Sequence, residues 1–151
     1  MSGVRGRFAA MRSAFFAALA EGTSSPERLG VALGLGALVG SSPLLGLHSV
    51  LAIGLSFAFR LNKVLCFVGS NVSFGPMLAI LVAAEVAIGS VLLGRAAPPL
   101  DREHVMEGAR QGLLVWWLGW GVVGPALFAA GFFLGWGMAR RLGRGRLRPE
   151  E

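Results

Sequence analysis

Cysteine, charge and the common catalytic motifs are all scarce in this chain. Cys66 is the single cysteine, so an intrachain disulfide and a cysteine-built metal site are both excluded. Only 15% of the residues are charged against 54% hydrophobic, and the mean hydropathy is +0.67; this excludes a disordered chain and argues against a water-soluble globule. No Gly-x-Ser-x-Gly elbow, metal-binding His pair or phosphate-binding glycine loop ending in Lys is present. A hydrolytic set would have to be assembled from Ser41 or Ser42 with His48 and Glu85. The chain is therefore read as a non-enzyme, with no catalytic residue, no metal and no cofactor.

What is present is long apolar sequence. Leu29 to Phe59 and Gln111 to Ala139 hold no Asp, Glu, Lys or Arg, and Val64 to Gly94 holds only Glu85. Each stretch reaches the roughly 20 apolar residues that a spanning helix needs. The balance of 14 Lys+Arg against 8 Asp+Glu would suggest nucleic acid in a soluble protein. Here most cations flank apolar runs, so they read as topology signals and contacts to anionic headgroups. Membrane lipids are the expected partners and nucleic acid is not, because the tail Arg140 to Arg148 lacks base-reading neighbours.

The first apolar run is cut at Ser41-Ser42-Pro43-Leu44-Leu45-Gly46 into two pieces of about 14 residues, each roughly 21 Å long as a helix, against about 30 Å of hydrocarbon. A hairpin over residues 27–59 that dips into the membrane with a polar tip fits; two short tilted spans would give the same sidedness. Irregular backbone at that depth needs burial or a wet cavity, which makes the break a candidate site. Ser24 with Glu27 forms a capping-box pattern with Pro26 in the first turn, and Ser41-Ser42-Pro43 repeats that start chemistry. The second helix is accordingly expected to open at Pro43 and run to Phe59. Such an arrangement leaves orphan carbonyls at Gly40 and orphan amides around Pro43 to Gly46, an anion site supported by Ser41 and Ser42 with His48 one turn on.

Residues 64–75 read as a broken segment, with Asn71-Val72-Ser73-Phe74-Gly75-Pro76 as a second polar break. Spans are expected at 76–93 and 113–139, the latter kinked at Pro125. Trp116, Trp117 and Trp120 stand near one end of the span and Trp136 near the other, and the 20 residues from Trp116 to Trp136 cover about 30 Å along a helix, as aromatic belts would. Residues 1–22 carry Phe8, Met11, Phe15 and Leu19 at helical spacing and read as an interfacial amphipathic helix rather than a cleaved signal. Residues 140–151 read as a disordered basic cytoplasmic tail. With the hairpin returning to its own side, the N-terminus, Arg60, Lys63 and the tail all lie in the cytoplasm, and the neutral loop Arg95 to Arg110 lies outside.

Glu85, midway along its span, is expected to face the bundle interior and to serve proton coupling. Arg60, Asn62 and Asn71 form a polar set at the hairpin base and second break, with Arg60 placed for a lipid phosphate. Gly30-x-x-x-Gly34, Gly36-x-x-x-Gly40 and Gly131-x-x-x-Gly135 allow close helix approach. Packing within the chain is the first reading of these stripes. A homo-oligomer is the second, since so few helices can hardly enclose a pathway.

Ser25-Pro26-Glu27, Gly34, Gly40, Pro43-x-x-Gly46-x-His48, Arg60-x-Asn62 and Asn71 followed by Pro76 together resemble the DUF2062 family of bacterial inner-membrane proteins. The resemblance covers roughly Glu21 to Gly94, with Asn71-Val72 standing where the family usually shows Asn-Pro. It implies an integral membrane protein and supplies no catalytic residues. The expected fold is all-α: an interfacial helix, a broken hairpin and two spans in a single membrane domain over residues 23–139. The expected function is transport or flipping of an anionic amphipathic substrate such as a lipid phosphate, bound by Ser41, Ser42, Pro43, Gly46, His48, Arg60, Asn62 and Asn71 and coupled to protons through Glu85. The rival is a non-catalytic scaffold that binds a partner through glycine faces and the basic tail.

Overall fold

The computed structural model describes residues 25–44, 46–73, 75–96 and 112–145, the last four as backbone only. The expected interfacial helix at 1–22, most of the loop after Arg95 and the end of the tail lie outside them. Among the described residues the fold is all-helical. It comprises α1 (Pro26–Gly40), α2 (His48–Ala58), α3 (Lys63–Ser70), a 3-10 turn (Asn71–Ser73), α4 (Pro76–Leu92) and α5 (Leu113–Gly145).

α1 starts at Ser25, whose extended backbone and hydroxyl accept the Arg28 amide at 3.4 Å, with Pro26 in the first turn. The cap is thus Ser25, one residue later than the capping-box pattern suggests. α1 is the central helix and is buried on nearly all sides. One glycine face meets α5: a Cβ on Gly30 would strike the Phe132 carbonyl at 2.7 Å, and one on Gly34 the Phe128 carbonyl at 2.6 Å. The other meets α3, where Gly36 lies against the Cys66 carbonyl and Gly40 against that of Ser70. Gly131 and Gly135 answer from α5, and Gly69 from α3. All three glycine stripes are therefore used inside the chain.

The contact pairs fix the layout. Gly30 sits by Phe132, Gly34 by Phe128 and Leu38 by Gly124, so α1 and α5 run antiparallel. α4 packs on the other half of α5, with Gly89 against the Val115 carbonyl and the Glu85 carbonyl against Gly119. Leu29, Ala32, Leu33, Leu65 and Cys66 form one core cluster; Val82, Val86, Val115 and Trp116 form a second. α2 returns beside α1 and buries only Ala52 and Ser56. The two ends of this hairpin meet where the Arg28 Nη2 donates to the Arg60 carbonyl at 3.1 Å and the Phe59 carbonyl at 3.4 Å.

Two expectations are corrected. The second hairpin helix opens at His48 rather than Pro43, because Ser41 and Ser42 fold back onto α1 and Gly46, at φ +85°, turns the chain before a new helix forms. The last helix does not stop at Ala139: it continues through Arg140 and Arg141 to Gly145, so the tail begins as helix. Pro125 lies inside this helix. The start at Pro76, preceded by Gly75 at φ +67°, is as expected. Among the described residues one helix, over Leu113–Arg141, is long and apolar enough to cross a membrane. α3 with its 3-10 turn meets α4 at 72°, a bend at the second polar break.

Candidate functional site

The end of α1 is built from serines. Ser41 and Ser42 are buried; their hydroxyls donate to the Leu38 carbonyl at 3.1 Å and the Val39 carbonyl at 2.6 Å. Ser73 reaches across from the 3-10 turn and donates to the Gly40 carbonyl at 2.6 Å. Trp120 Nε1, from α5, donates to the Leu38 carbonyl at 3.1 Å, and the amides of Ser41 and Ser42 bond to Ala37 and Val39. Every carbonyl from Ala37 to Gly40 thus has a donor. The orphan carbonyl expected at Gly40 is satisfied, and the Ser41 and Ser42 protons are committed to α1.

The donor side of the break is different. Leu47 turns back onto Leu44, and the first bond of α2 runs from the Leu51 amide to the Leu47 carbonyl. Leu47 is the N-cap and has no side-chain cap bond, since leucine offers no oxygen. The amides of His48, Ser49 and Val50 form the first turn, which has no partner within an α-helix and carries the positive end of the helix dipole. His48 is half-buried there and Gly46 is exposed beside it.

The predicted binding residues do not all converge on this point. Ser41, Ser42, Pro43, Gly46 and His48 belong to the tip. Asn71 donates from Nδ2 to the Phe67 carbonyl at 2.7 Å and closes α3 near Ser73. Arg60 and Asn62 lie at the other end of α2, about 16 Å away along an 11-residue helix. Asn62 Oδ1 caps α3 by accepting from the Leu65 amide at 3.1 Å, and Arg60 is exposed in the left-handed region at φ +51°. Around that base stand Arg28, Lys63, Arg140 and Arg141. Lys63 Nζ lies 4.0 Å from the Phe57 ring centroid, and the Arg140 guanidinium 4.4 Å from that of Trp136. Glu27 is held below the usual carboxylate value, chiefly by a backbone amide and then by Ser25, with smaller help from Trp136 and Arg140.

Glu85 is fully buried between α4 and α5. Its Oε2 accepts from Trp116 Nε1 at 2.5 Å, and its Oε1 has no hydrogen-bond partner. Trp116 is 6% exposed, so it is a buried donor rather than the interface anchor expected. Ser73, Trp116 and Trp120 are the contributors that sequence reasoning missed. The four-residue spacing of the two tryptophans, which places them on one face of α5, was the available signal. Among the described residues no group of His, Cys, Asp and Glu could hold a metal ion.

No curated protein and no solved structure matches this chain. A family model does, over residues 13–148, which extends the resemblance past Gly94 to take in α5. The chain accordingly belongs to the DUF2062 family, described as an uncharacterized protein conserved in bacteria.

Proposed function

We propose that this chain is an integral protein of the bacterial inner membrane that moves or flips an anionic amphipathic substrate, such as a lipid phosphate. The observation that carries the reading is the uncapped start of α2 at the tip of an apolar hairpin. A phosphate there would take the amides of His48, Ser49 and Val50, where the dipole also favours negative charge. Ser41 and Ser42 would shape the tip from the α1 side, and Glu85 would supply proton coupling.

The outer surface supports a lipid environment. Val50 is 68% exposed, Phe57 60% and Ile80 61%, and Phe133 and Leu134 are similarly open, so apolar side chains cover the outside of α2, α4 and α5. The cationic base supports a cytoplasmic side for Arg28, Arg60, Lys63, Arg140 and Arg141. With tip and base separated, we assign the exposed Arg60 to headgroup contact at entry and the tip to the binding step, while the buried Asn62 caps α3. The scaffold reading keeps the basic tail but loses its glycine faces, which are spent between α1, α3 and α5.

The test fills the anion site from within. Leu47→Asp places a carboxylate where an N-cap belongs and should stabilise α2 by about 1 kcal/mol while abolishing movement of a fluorescent phosphatidylglycerol across reconstituted vesicles. Unchanged movement in Leu47→Asp would remove the tip from the mechanism. If truncation of residues 140–151 alone abolished the cellular phenotype, the scaffold reading would replace transport.

A further inference from the structure

Trp116 and Trp120 stand four residues apart and face the same side of α5. The first indole donates to Glu85 on α4 at 2.5 Å, the second to the Leu38 carbonyl at the end of α1 at 3.1 Å. These anchor points are about 6 Å apart along a helix that runs unbroken from Leu113 to Gly145. A rigid helix cannot move at residue 116 and stay in place at residue 120. Shifts of about 1–2 Å are ordinary for packed helices, and a bond already at 3.1 Å does not survive one. Between the indoles, Gly119 rests on the Glu85 carbonyl, so α4 and α5 have no room to close further and can only slide or part.

The Leu38 carbonyl is also the acceptor of the Ser41 hydroxyl at 3.1 Å. Losing the indole therefore loosens the end of α1 without orphaning a buried carbonyl, and the cost falls on the half-buried Trp120 N–H alone. Glu85 gives a reason for the exchange. Its Oε1 has no partner, and its two protonation states require different surroundings: the acid offers one donor, and the carboxylate calls for further donors. Among the described residues of the elements packed against it, no other ionisable group faces it. Glu85 is the only one on α4, α5 has none from Leu113 to Ala139, and the 3-10 turn Asn71–Ser73 has none.

We propose that α5 transmits proton gain and loss at Glu85 to the hairpin tip, with Trp116 reading the carboxyl and Trp120 clasping or releasing the end of α1. Trp116 and Trp120 are positioning residues in this scheme. It rests on the reading of Glu85 as the proton-coupling group, and adds the route by which that group reaches the anion-binding tip.

The experiment uses the full chain in lipid nanodiscs with fluorotryptophan at all four positions, each fluorine resonance being assigned by its Trp→Phe variant. On titration with acid and base, the resonances of Trp116 and Trp120 should shift with one common midpoint, while Trp136, at the far end of α5, should not follow it. In Glu85→Gln, which keeps an acceptor for Trp116, both shifts should vanish. In Trp116→Phe, the Trp120 shift alone is left to observe, and it should vanish. Trp120 standing still while Trp116 titrates, or Trp120 titrating unchanged in Glu85→Gln or Trp116→Phe, overturns the proposal. Lipid movement in vesicles is measured separately. Movement lost in Glu85→Gln with Trp120 indifferent to pH refutes the transmission and leaves transport standing. A shared midpoint without lipid movement refutes transport and leaves the transmission standing.

Discussion

α5 makes two glycine seams, and they are built differently. Against α1, the seam of Gly30, Gly34, Gly131 and Gly135 is backbone on backbone with Phe128 and Phe132 alongside, and it needs no polar side chain within it. Against α4, Gly89 and Gly119 allow an equally close approach, yet a carboxyl with one unpaired oxygen is sealed inside. Along that stretch the helices are joined by small residues and apolar contact, and the polar bond between α1 and α5, from Trp120 to the Leu38 carbonyl, stands beyond it. The carboxyl of the second is therefore surplus to packing, and an unpaired buried oxygen is a cost that packing does not explain. That contrast is the strongest physical ground for giving Glu85 a role.

The largest effects should come from closing either seam. A Cβ on Gly119 would meet the backbone of Glu85, and one on Gly34 the backbone of Phe128, where no flexible side chain can yield. Gly119→Ala and Gly34→Ala should each destabilise the protein by about 3 kcal/mol, the upper part of the range for overpacking. Gly121→Ala is the control: nothing lies within 4 Å of its position, and the gain in helix propensity should be near 1 kcal/mol. Thermal unfolding in detergent reads all three. If Gly119→Ala alone were harmless, the α4 seam would be looser than the α1 seam and the comparison would fail.

Next in size is the polar pair itself. Trp116→Phe leaves both carboxyl oxygens without a partner and should cost about 1–3 kcal/mol. Adding Glu85→Leu should restore most of that stability, because removing both partners of a buried bond leaves nothing unsatisfied. The double variant should then resemble the glycine stretch of the α1 seam, stable and apolar, and should be unable to move lipid. Recovery of both stability and movement would mean that the carboxyl does no more than glue two helices.

Much of this architecture is legible along the chain, and what is missed has a common cause. Pro76 after Gly75 and the glycine stripes are local signals, and each sits where such chemistry places it, whereas Ser25 caps α1 where Ser24 is expected and Asn62, read as a ligand residue, caps α3. Ser41-Ser42-Pro43 is equally clear as an interruption but ambiguous in direction. Serine before proline opens helices, and serine hydroxyls also bond backwards to carbonyls three residues earlier; here the backward bonds to Leu38 and Val39 win. Partnerships of Ser73 with Gly40, Trp116 with Glu85 and Trp120 with Leu38 span distances along the chain that no periodicity reports. Glu85 alone announces itself, because a carboxyl in an apolar span is conspicuous wherever its partner lies.

The smallest expected effects separate the serines of the tip from one another. Ser73→Ala removes the side-chain donor that reaches the Gly40 carbonyl from another element, and should cost about 1 kcal/mol. Ser42→Ala removes a donor from the Val39 carbonyl, which keeps the Ser42 amide at 3.1 Å, so its cost should be about half as large. Ser73 also ties the 3-10 turn to α1, and that turn leads through Gly75 into α4. Its loss should therefore raise hydrogen exchange at both the end of α1 and the start of α4, whereas Ser42→Ala should affect α1 alone. Exchange confined to α1 in both variants would show that the two halves of the molecule communicate only through α5, and would make the tryptophan pair their single mechanical link.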